Sequence, residues 1–302
     1  MYDILIIGGG PAGLSAALIL GRCGRKVIIA DSGKPRNLPS QEMHGYLTRD
    51  GINPSDFLDL GYEDISRYGV RNEDMEAGAV NIRDGYFEIE ITGGGLITAR
   101  KVLIATGIKD ILPDITGISE YYGKSVFHCP YCDGWENRNR ALAVYARGKA
   151  AYALSSSMLT WSRDVILFTD GNARLTEKEQ HDLVKQGIRI RTQKIKRLNG
   201  EAGNLKSIEL ENGETIEREV LFFSTGQMQH SDIAVKLGCS FDRKGFIRTN
   251  KKQQTNIPGV YAAGDVTKDM KFVIVAAAEG ARAGTAINME LQEEEREQAL
   301  NK

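Results

Sequence analysis

No run of 18 or more apolar residues occurs in the chain, so no membrane-spanning helix is expected. An excess of charge of either sign is also missing. Lys and Arg number 39 against 40 Asp and Glu, a net charge of −1. A nucleic-acid partner would favour a basic domain with clustered cations, so none is expected. The amino-terminal pattern lacks the cationic segment, long apolar run and small-residue cleavage site of a leader. Its apolar run, Ile4–Ile7, passes directly into glycines and reads as a core strand. A cytoplasmic protein is expected. Cysteine is scarce as well: Cys23, Cys129, Cys132 and Cys239 are all there are in 302 residues. Four would not staple a secreted scaffold of this length, and a C-x-x-C pair in a cytosolic enzyme points to catalysis or a metal.

What is present suits a globular chain of about two domains. Hydrophobic residues make up 41% and charged residues 26%, enough for one large or two moderate cores. Tyr2–Ile7, the helix Pro11–Cys23 and the strand Lys26–Asp31 form a β-α-β unit, with strands that are continuous apolar runs, as in a parallel sheet covered on both faces. Short alternating strands follow, including Tyr86–Ile91, then a buried strand from Val102 ending at Ala105-Thr106-Gly107. A second β-α-β unit is predicted from Ala141–Tyr145, Arg147–Trp161 and Val165–Phe168, and its last strand ends in Ser224-Thr225-Gly226. Each half thus repeats one plan. The remainder holds the strand Val260–Ala263 and a helix through 290, with the acidic run after 292 as a solvated helix end, and is too short for a third domain. The fold expected is α/β: two Rossmann-like domains, the second inserted in the first. The predicted segments are 1–115, 116–238 and 239–302.

Gly8-x-Gly10-x-x-Gly13 follows a strand and opens a helix at Pro11 and Ala12, the context of a dinucleotide fingerprint. Gly8 allows the tight turn, Gly10 the approach of a pyrophosphate to backbone N–H groups, and Gly13 close packing of helix on strand. Asp31 closes the second strand about twenty residues on, where a carboxylate takes the adenosine ribose. The fingerprint alone does not choose between FAD and NAD. The later segment from Thr255 through Gly264-Asp265 resembles the second FAD motif of flavoproteins with two dinucleotide domains. That resemblance gives Asp265 the ribityl and phosphate region.

His128-Cys129-Pro130-Tyr131-Cys132-Asp133-Gly134 precedes the second β-α-β unit. Two thiols so spaced can close a small, reducible disulfide, and a helix N-terminus would favour their thiolates. Zinc is the other reading, but it needs four ligands. Cys23 and Cys239 are single and distant; His128 offers one ligand and nothing supplies a fourth, so no metal is expected.

With its Gly8–Gly13 turn, Ala105-Thr106-Gly107, CxxC-Asp-Gly, second β-α-β unit and Gly264-Asp265 in this order, nearly the whole chain resembles the low-molecular-weight thioredoxin reductase family. The resemblance implies FAD, with Ala105-Thr106-Gly107 among its contacts, and a homodimer. It also implies Cys132 against the flavin, Cys129 as the interchange thiol, and Asp133 as an acid that protonates a thiolate. The bland alternative for Asp133 is an ordinary helix-cap acid, and the catalytic role is the one expected. The CPYC segment with Trp135-Glu136 departs from the plain reductase pattern. It is similar to that of the relatives that close disulfides in gliotoxin- and holomycin-type metabolites and pass electrons to oxygen. Those relatives carry a base, often His, for which His44 and His230 are candidates.

The nicotinamide site departs further. Its turn reads Ala146-Arg147-Gly148-Lys149-Ala150-Ala151: Ala146 replaces the first glycine and would restrict a positive φ, while Gly148 is kept. No arginine pair follows the next strand, which ends at Asp170. An acid there would repel a 2′-phosphate, which favours NADH over NADPH if either binds. Lys271-Phe272 stands where the family carries Arg-Gln beside the flavin. The expected function is FAD-dependent thiol–disulfide exchange through Cys129 and Cys132, with a thioredoxin-like protein or a small dithiol or disulfide as partner and with altered or lost NADPH use. Oxidation of small dithiols by oxygen, or flavin-based sensing without turnover, are the alternatives.

Overall fold

The computed structural model describes residues 1–83, 85–267 and 270–301. It divides into two compact units: residues 1–36, 45–109 and 228–302 form the first, and residues 37–44 and 110–227 the second. The predicted boundaries at 115/116 and 238/239 therefore shift to 109/110 and 227/228. Residues 37–44 belong with the second unit, an excursion that no composition change in the sequence marks.

The first unit opens with β1 (Tyr2–Ile7), α1 (Pro11–Arg22), β2 (Val27–Asp31), α2 (Pro54–Ser66), β3 (Arg71–Asp74), β4 (Ala77–Arg83), β5 (Tyr86–Ile91) and β6 (Leu96–Ile104). β3, β2, β1 and β6 lie side by side in parallel, with Ile7 opposite both Ala30 and Ile104. Ile4 and Ile6 are buried in one cluster and Leu5 and Ile7 in another, which is why the strand reads as an unbroken apolar run. β5 and β4 continue the sheet antiparallel from the first half of β6. α2 is an element beyond the sequence expectation, although Asn53 caps it through the Ser55 N–H and Pro54 occupies its first turn.

β7 (Ile108–Asp110) leads into the second unit, which contains α3 (Ile118–Tyr121), β8 (Val126–Phe127), α4 (Pro130–Asp133), β9 (Leu142–Ala146), α5 (Gly148–Met158), β10 (Val165–Phe168), α6 (Glu177–Lys185), β11 (Arg189–Arg191), β12 (Ile195–Glu201), β13 (Asn204–Leu210), β14 (Thr215–Glu217) and β15 (Val220–Ser224). Its parallel sheet runs β11-β10-β9-β15-β8, and β12-β13-β14 form a separate antiparallel sheet. Here too both faces are buried: Ala143 and Ile166 in one cluster, Leu142 and Val165 in the other. α6 starts on a capping box in which Thr176 and Glu179 satisfy each other's backbone N–H.

After β16 (Gln227–Gln229) and α7 (Ile233–Lys236), the chain returns to the first unit with β17 (Val260–Ala262) and α8 (Val273–Leu300). β17 pairs in parallel with the second half of β6, Val260 opposite Val102. α8 continues to Leu300, well past the predicted end near 290. It packs on α1 at van der Waals range. A Cβ on Gly280 would lie 2.0 Å from the Ala12 carbonyl oxygen and one on Gly284 2.9 Å from that of Ala16, so both positions need glycine. Among the described residues, no helix is long and apolar enough to cross a membrane.

Candidate active site

The first unit builds a cradle at the carboxyl ends of its strands. Gly8 has φ +107°, and a Cβ there would fall 2.4 Å from the Ala105 carbonyl oxygen, which brings the Ala105-Thr106-Gly107 turn against the fingerprint. Gly13 is equally constrained: its Cβ would lie 1.9 Å from the Gly8 carbonyl oxygen. Gly10 differs, since a Cβ there would meet nothing within 4 Å. The space beside Gly10, at the N-terminus of α1, is therefore open on the side a pyrophosphate would occupy. Gly10 is the helix N-cap, Pro11 follows it, and the first turn holds no acid. Asp31 accepts a hydrogen bond from the Tyr62 hydroxyl at 2.8 Å, and burial followed by the Asp31 charge raises the Tyr62 pKa. Across the cradle, Gly264 touches the same turn: its Cβ would lie 2.8 Å from that of Ala12. Open space at Gly10, a helix N-terminus without acids and carboxylates at Asp31 and Asp265 fit FAD.

In the second unit Cys129 and Cys132 are joined in a disulfide with Cα atoms 5.3 Å apart. Cys129 is the N-cap of α4, and its carbonyl accepts from the Cys132 and Asp133 N–H groups. α4 is one turn long, so the dipole activation expected of a helix N-terminus shrinks to these local amides. Both sulfurs bond to each other, which removes the zinc reading for this oxidised pair. Gly134 turns the chain beneath Trp161: a Cβ would lie 2.4 Å from the Pro130 carbonyl oxygen and 2.6 Å from the indole. Tyr131 and Trp135 are 71% and 65% exposed; Tyr131 meets the Trp161 ring edge-on at 5.7 Å and Arg138 stacks over Trp135 at 4.1 Å. An aromatic face thus borders the disulfide turn.

Ionisable groups gather around this turn. Burial, and next the negative charge of Glu136, push the Asp133 carboxyl up to about 7. A carboxyl so shifted can hold a proton near neutrality, as the acid role implied by the resemblance would need. His44 lies 3.5 Å from Glu136 and 3.5 Å from Glu42. His128, directly before Cys129, places Nδ1 3.6 Å from Asp110, whose carboxylate is only 3% exposed. Asp110 also accepts from Tyr122 at 2.7 Å and from Gln227 at 3.0 Å. Of the two histidines expected as candidate bases, His44 joins this unit and His230 lies in the first. Burial and then Lys109 lower the His230 pKa. The pairing of His128 with Asp110 is not legible in the sequence, where the two lie far apart. The signal for His128 is its place beside the first cysteine.

The family model described as pyridine nucleotide-disulphide oxidoreductase matches residues 2–280. The chain belongs to this family. A probable thioredoxin reductase from Arthroderma benhamiae is 31% identical over 337 aligned positions, which cover all of this chain and 83% of the relative. The crystal structure of a putative thioredoxin reductase, TrxB, from Bacillus anthracis superposes with a TM-score of 0.93 at 33% identity, covering 98% of this chain and all of its own. The structure of HlmI gives 0.94 at 34% identity, with 99% and 95% covered. This oxidoreductase is a thioredoxin-reductase-like flavoenzyme that acts on disulfides and uses FAD.

In this family member the second turn is unlike the first. Three residues separate β1 from α1, but one, Arg147, separates β9 from α5. Ala146 is the buried last residue of β9, and Gly148 takes the positive φ, +59°. The strain expected at Ala146 is therefore not there; the turn lies two residues further on and is shorter. Arg147 is not simply solvated. It donates to the Thr169 carbonyl at 2.8 Å and to both the carbonyl and the carboxylate of Asp170 at 2.5 Å. The same Asp170 oxygen accepts from Tyr145 at 3.2 Å. The Asp170 carboxylate, the acid set against a 2′-phosphate, is held by its own neighbours. Phe272 is the N-cap of α8.

Proposed function

We propose that this oxidoreductase exchanges electrons between a dithiol substrate and its Cys129–Cys132 disulfide without drawing on a nicotinamide nucleotide. The observation that carries this reading is the Arg147–Asp170 latch across the shortened β9–α5 turn. A dinucleotide needs glycine-lined space at that turn and an available acid at the next strand. Here an arginine side chain occupies the ground between them.

Substrate oxidation follows from the groups at the disulfide. One substrate thiolate attacks the Cys129 sulfur, forms a mixed disulfide and releases Cys132 as a thiolate. The second substrate thiolate attacks the substrate sulfur of that bond, closes the substrate disulfide and frees Cys129. Two protons leave the substrate and two electrons reside on the cysteine pair. His128, oriented by Asp110, takes a substrate proton, and Asp133 holds or returns one at Cys132. FAD, when bound, supplies the chemistry that accepts the two electrons and hands them to dioxygen. The CPYC resemblance to dithiol oxidases supports this direction.

The second reading is reduction of a thioredoxin-like protein with electrons from another donor. It is favoured by the exposed Tyr131 and Trp135, a face suited to a protein partner, and by the names of the relatives. A cytoplasmic homodimer belongs to either version. Anaerobic titration of flavin absorbance decides between them. Bleaching by dithiothreitol but not by NADH or NADPH, with rapid recovery in air, is the expected result. Rapid bleaching by either nucleotide would restore an ordinary reductase, and slow recovery in air would favour the second reading.

A further inference from the structure

α5 carries two rows of uncharged side chains. Ala151 and Met158 are buried in the core cluster shared with β9 and β10, the face by which the helix packs on its sheet. Ala150, Ala153, Leu154 and Ser157 form a second row at i, i+3, i+4 and i+7, so they share one side of the helix. This second row lines an open pocket of about 350 Å³ together with His128 and Ser224. The first row already anchors α5, so packing alone does not explain a second row without charge.

The pocket lies at the strand ends next to the redox pair. Ser224 ends β15, and His128 follows Phe127 of β8, which pairs with Phe222 of β15. Cys129 comes one residue later. His128 therefore faces Asp110 and also lines the pocket. The Arg147–Asp170 latch stands elsewhere, at the ends of β9 and β10, and leaves this pocket open.

The volume is at the lower end of the roughly 300–1,000 Å³ that accommodates small molecules. Ala150, Ala153 and Leu154 offer aliphatic surface, and Ser157 and Ser224 offer hydroxyls. Among the described residues that line it, none is Lys, Arg, Asp or Glu. An ionic ligand would lose water there without gaining a partner of opposite charge. An uncharged dithiol could bury its carbon skeleton against α5 beside His128 and Cys129.

We propose that the pocket between α5 and His128 is the substrate site, and that it selects compact, uncharged, largely apolar dithiols. The proposal rests on the dithiol-oxidising reading and adds to it the substrate class and the place where the substrate binds. As such a dithiol reacts, the Cys129–Cys132 bond breaks and a disulfide forms in the substrate. One thiol proton passes to His128 and the other to the cysteine pair.

Anaerobic stopped-flow reduction of the flavin tests it with ortho-xylylene dithiol, which is uncharged and apolar, and dimercaptosuccinate, which is anionic. The wild-type rate should saturate with the first, at a KM about tenfold or more below that for the second. Ala153 is an exposed helix position, so its variants should fold, and thermal melting with flavin content checks that they do. Ala153→Phe fills the pocket and should raise the KM for ortho-xylylene dithiol about tenfold, with a smaller change in the limiting rate. Ala153→Lys should raise the same KM and lower that for dimercaptosuccinate, a shift of preference that a merely structural role of Ala153 would not produce. A wild type without preference between the two dithiols, or a preference that neither variant moves by more than about twofold, overturns the proposal and leaves the dithiol-oxidising reading intact. A wild type that neither dithiol reduces would overturn that reading itself, a result distinct from either variant outcome.

Discussion

His128 Nδ1 faces the buried carboxylate of Asp110 at 3.6 Å, one residue before Cys129. An acid placed behind a histidine selects its tautomer and stabilises the imidazolium that forms when it accepts a proton. His128→Asn should slow anaerobic flavin reduction by dithiothreitol about 10²- to 10⁴-fold, the usual worth of general acid–base catalysis, while flavin content stays unchanged. Asp110→Asn should act in the same direction but less strongly. Stopped-flow absorbance at the flavin band measures both; full activity in His128→Asn would remove this residue from the mechanism.

Asp133 titrates near 7 in the folded chain because burial and Glu136 disfavour its charge. An unfolded carboxyl titrates near 4. The folded state therefore holds the proton more tightly, and its stability falls as pH rises from about 4 through about 7. Asp133→Asn removes this loss. It should leave stability near pH 4 unchanged and raise it at pH 8 by a few kcal/mol at most, since each tenfold difference in proton affinity between the folded and unfolded chain is worth about 1.4 kcal/mol. Urea unfolding at the two pH values gives the comparison. The same variant should flatten the pH dependence of thiol exchange near 7.

Two of the three fingerprint glycines, Gly10 and Gly13, should fail differently. Gly13→Ala drives a methyl onto the Gly8 carbonyl and is expected to destabilise the unit by roughly 3 kcal/mol, the upper end of overpacking costs. Gly10→Ala meets no protein atom and should fold normally, yet lose FAD because the methyl enters the space of the cofactor. Thermal melts of the apoproteins together with flavin content separate the two effects. Normal flavin content in Gly10→Ala would place the pyrophosphate elsewhere.

Lys101 is only 5% exposed and holds Glu290 at 2.5 Å together with Glu294, which ties α8 to β6. Glu290 also accepts from Tyr261 and Gln254. Lys101→Met removes the cation shared by Glu290 and Glu294, although Glu294 keeps Arg100 at 2.9 Å. Because both remain partly exposed, the expected cost is roughly 2–3 kcal/mol, below that of a fully buried pair. Chemical denaturation should show this loss with FAD affinity unaffected.

The local chemistry of this chain was determined by its sequence. Apolar strands, Gly8, Gly10 and Gly13, the acid at Asp31 and the Gly264-Asp265 motif define a dinucleotide unit because strand period, turn torsion and helix start are all short-range. Two cysteines three positions apart can bridge within a single turn, as Cys129 and Cys132 do. The missing glycine at Ala146 is legible too, but its meaning is not. Whether such a turn is strained, shortened or latched depends on Arg147 reaching Asp170, two residues on neighbouring strand ends. The caps at Asn53 and Thr176 are equally local, yet α2 and α6 stand apart from the β-α-β pattern and bury little, Pro54 and Ile65 in the one and Leu183 in the other. Only the tertiary structure could bring Asp110 to His128, His44 to Glu136 and Arg36 to Asp265, since each pair joins segments that meet only when the sheets are assembled. It also set the acidity of Asp133, because a carboxyl's pKa is fixed by how much water the fold leaves around it and which charges stand nearby.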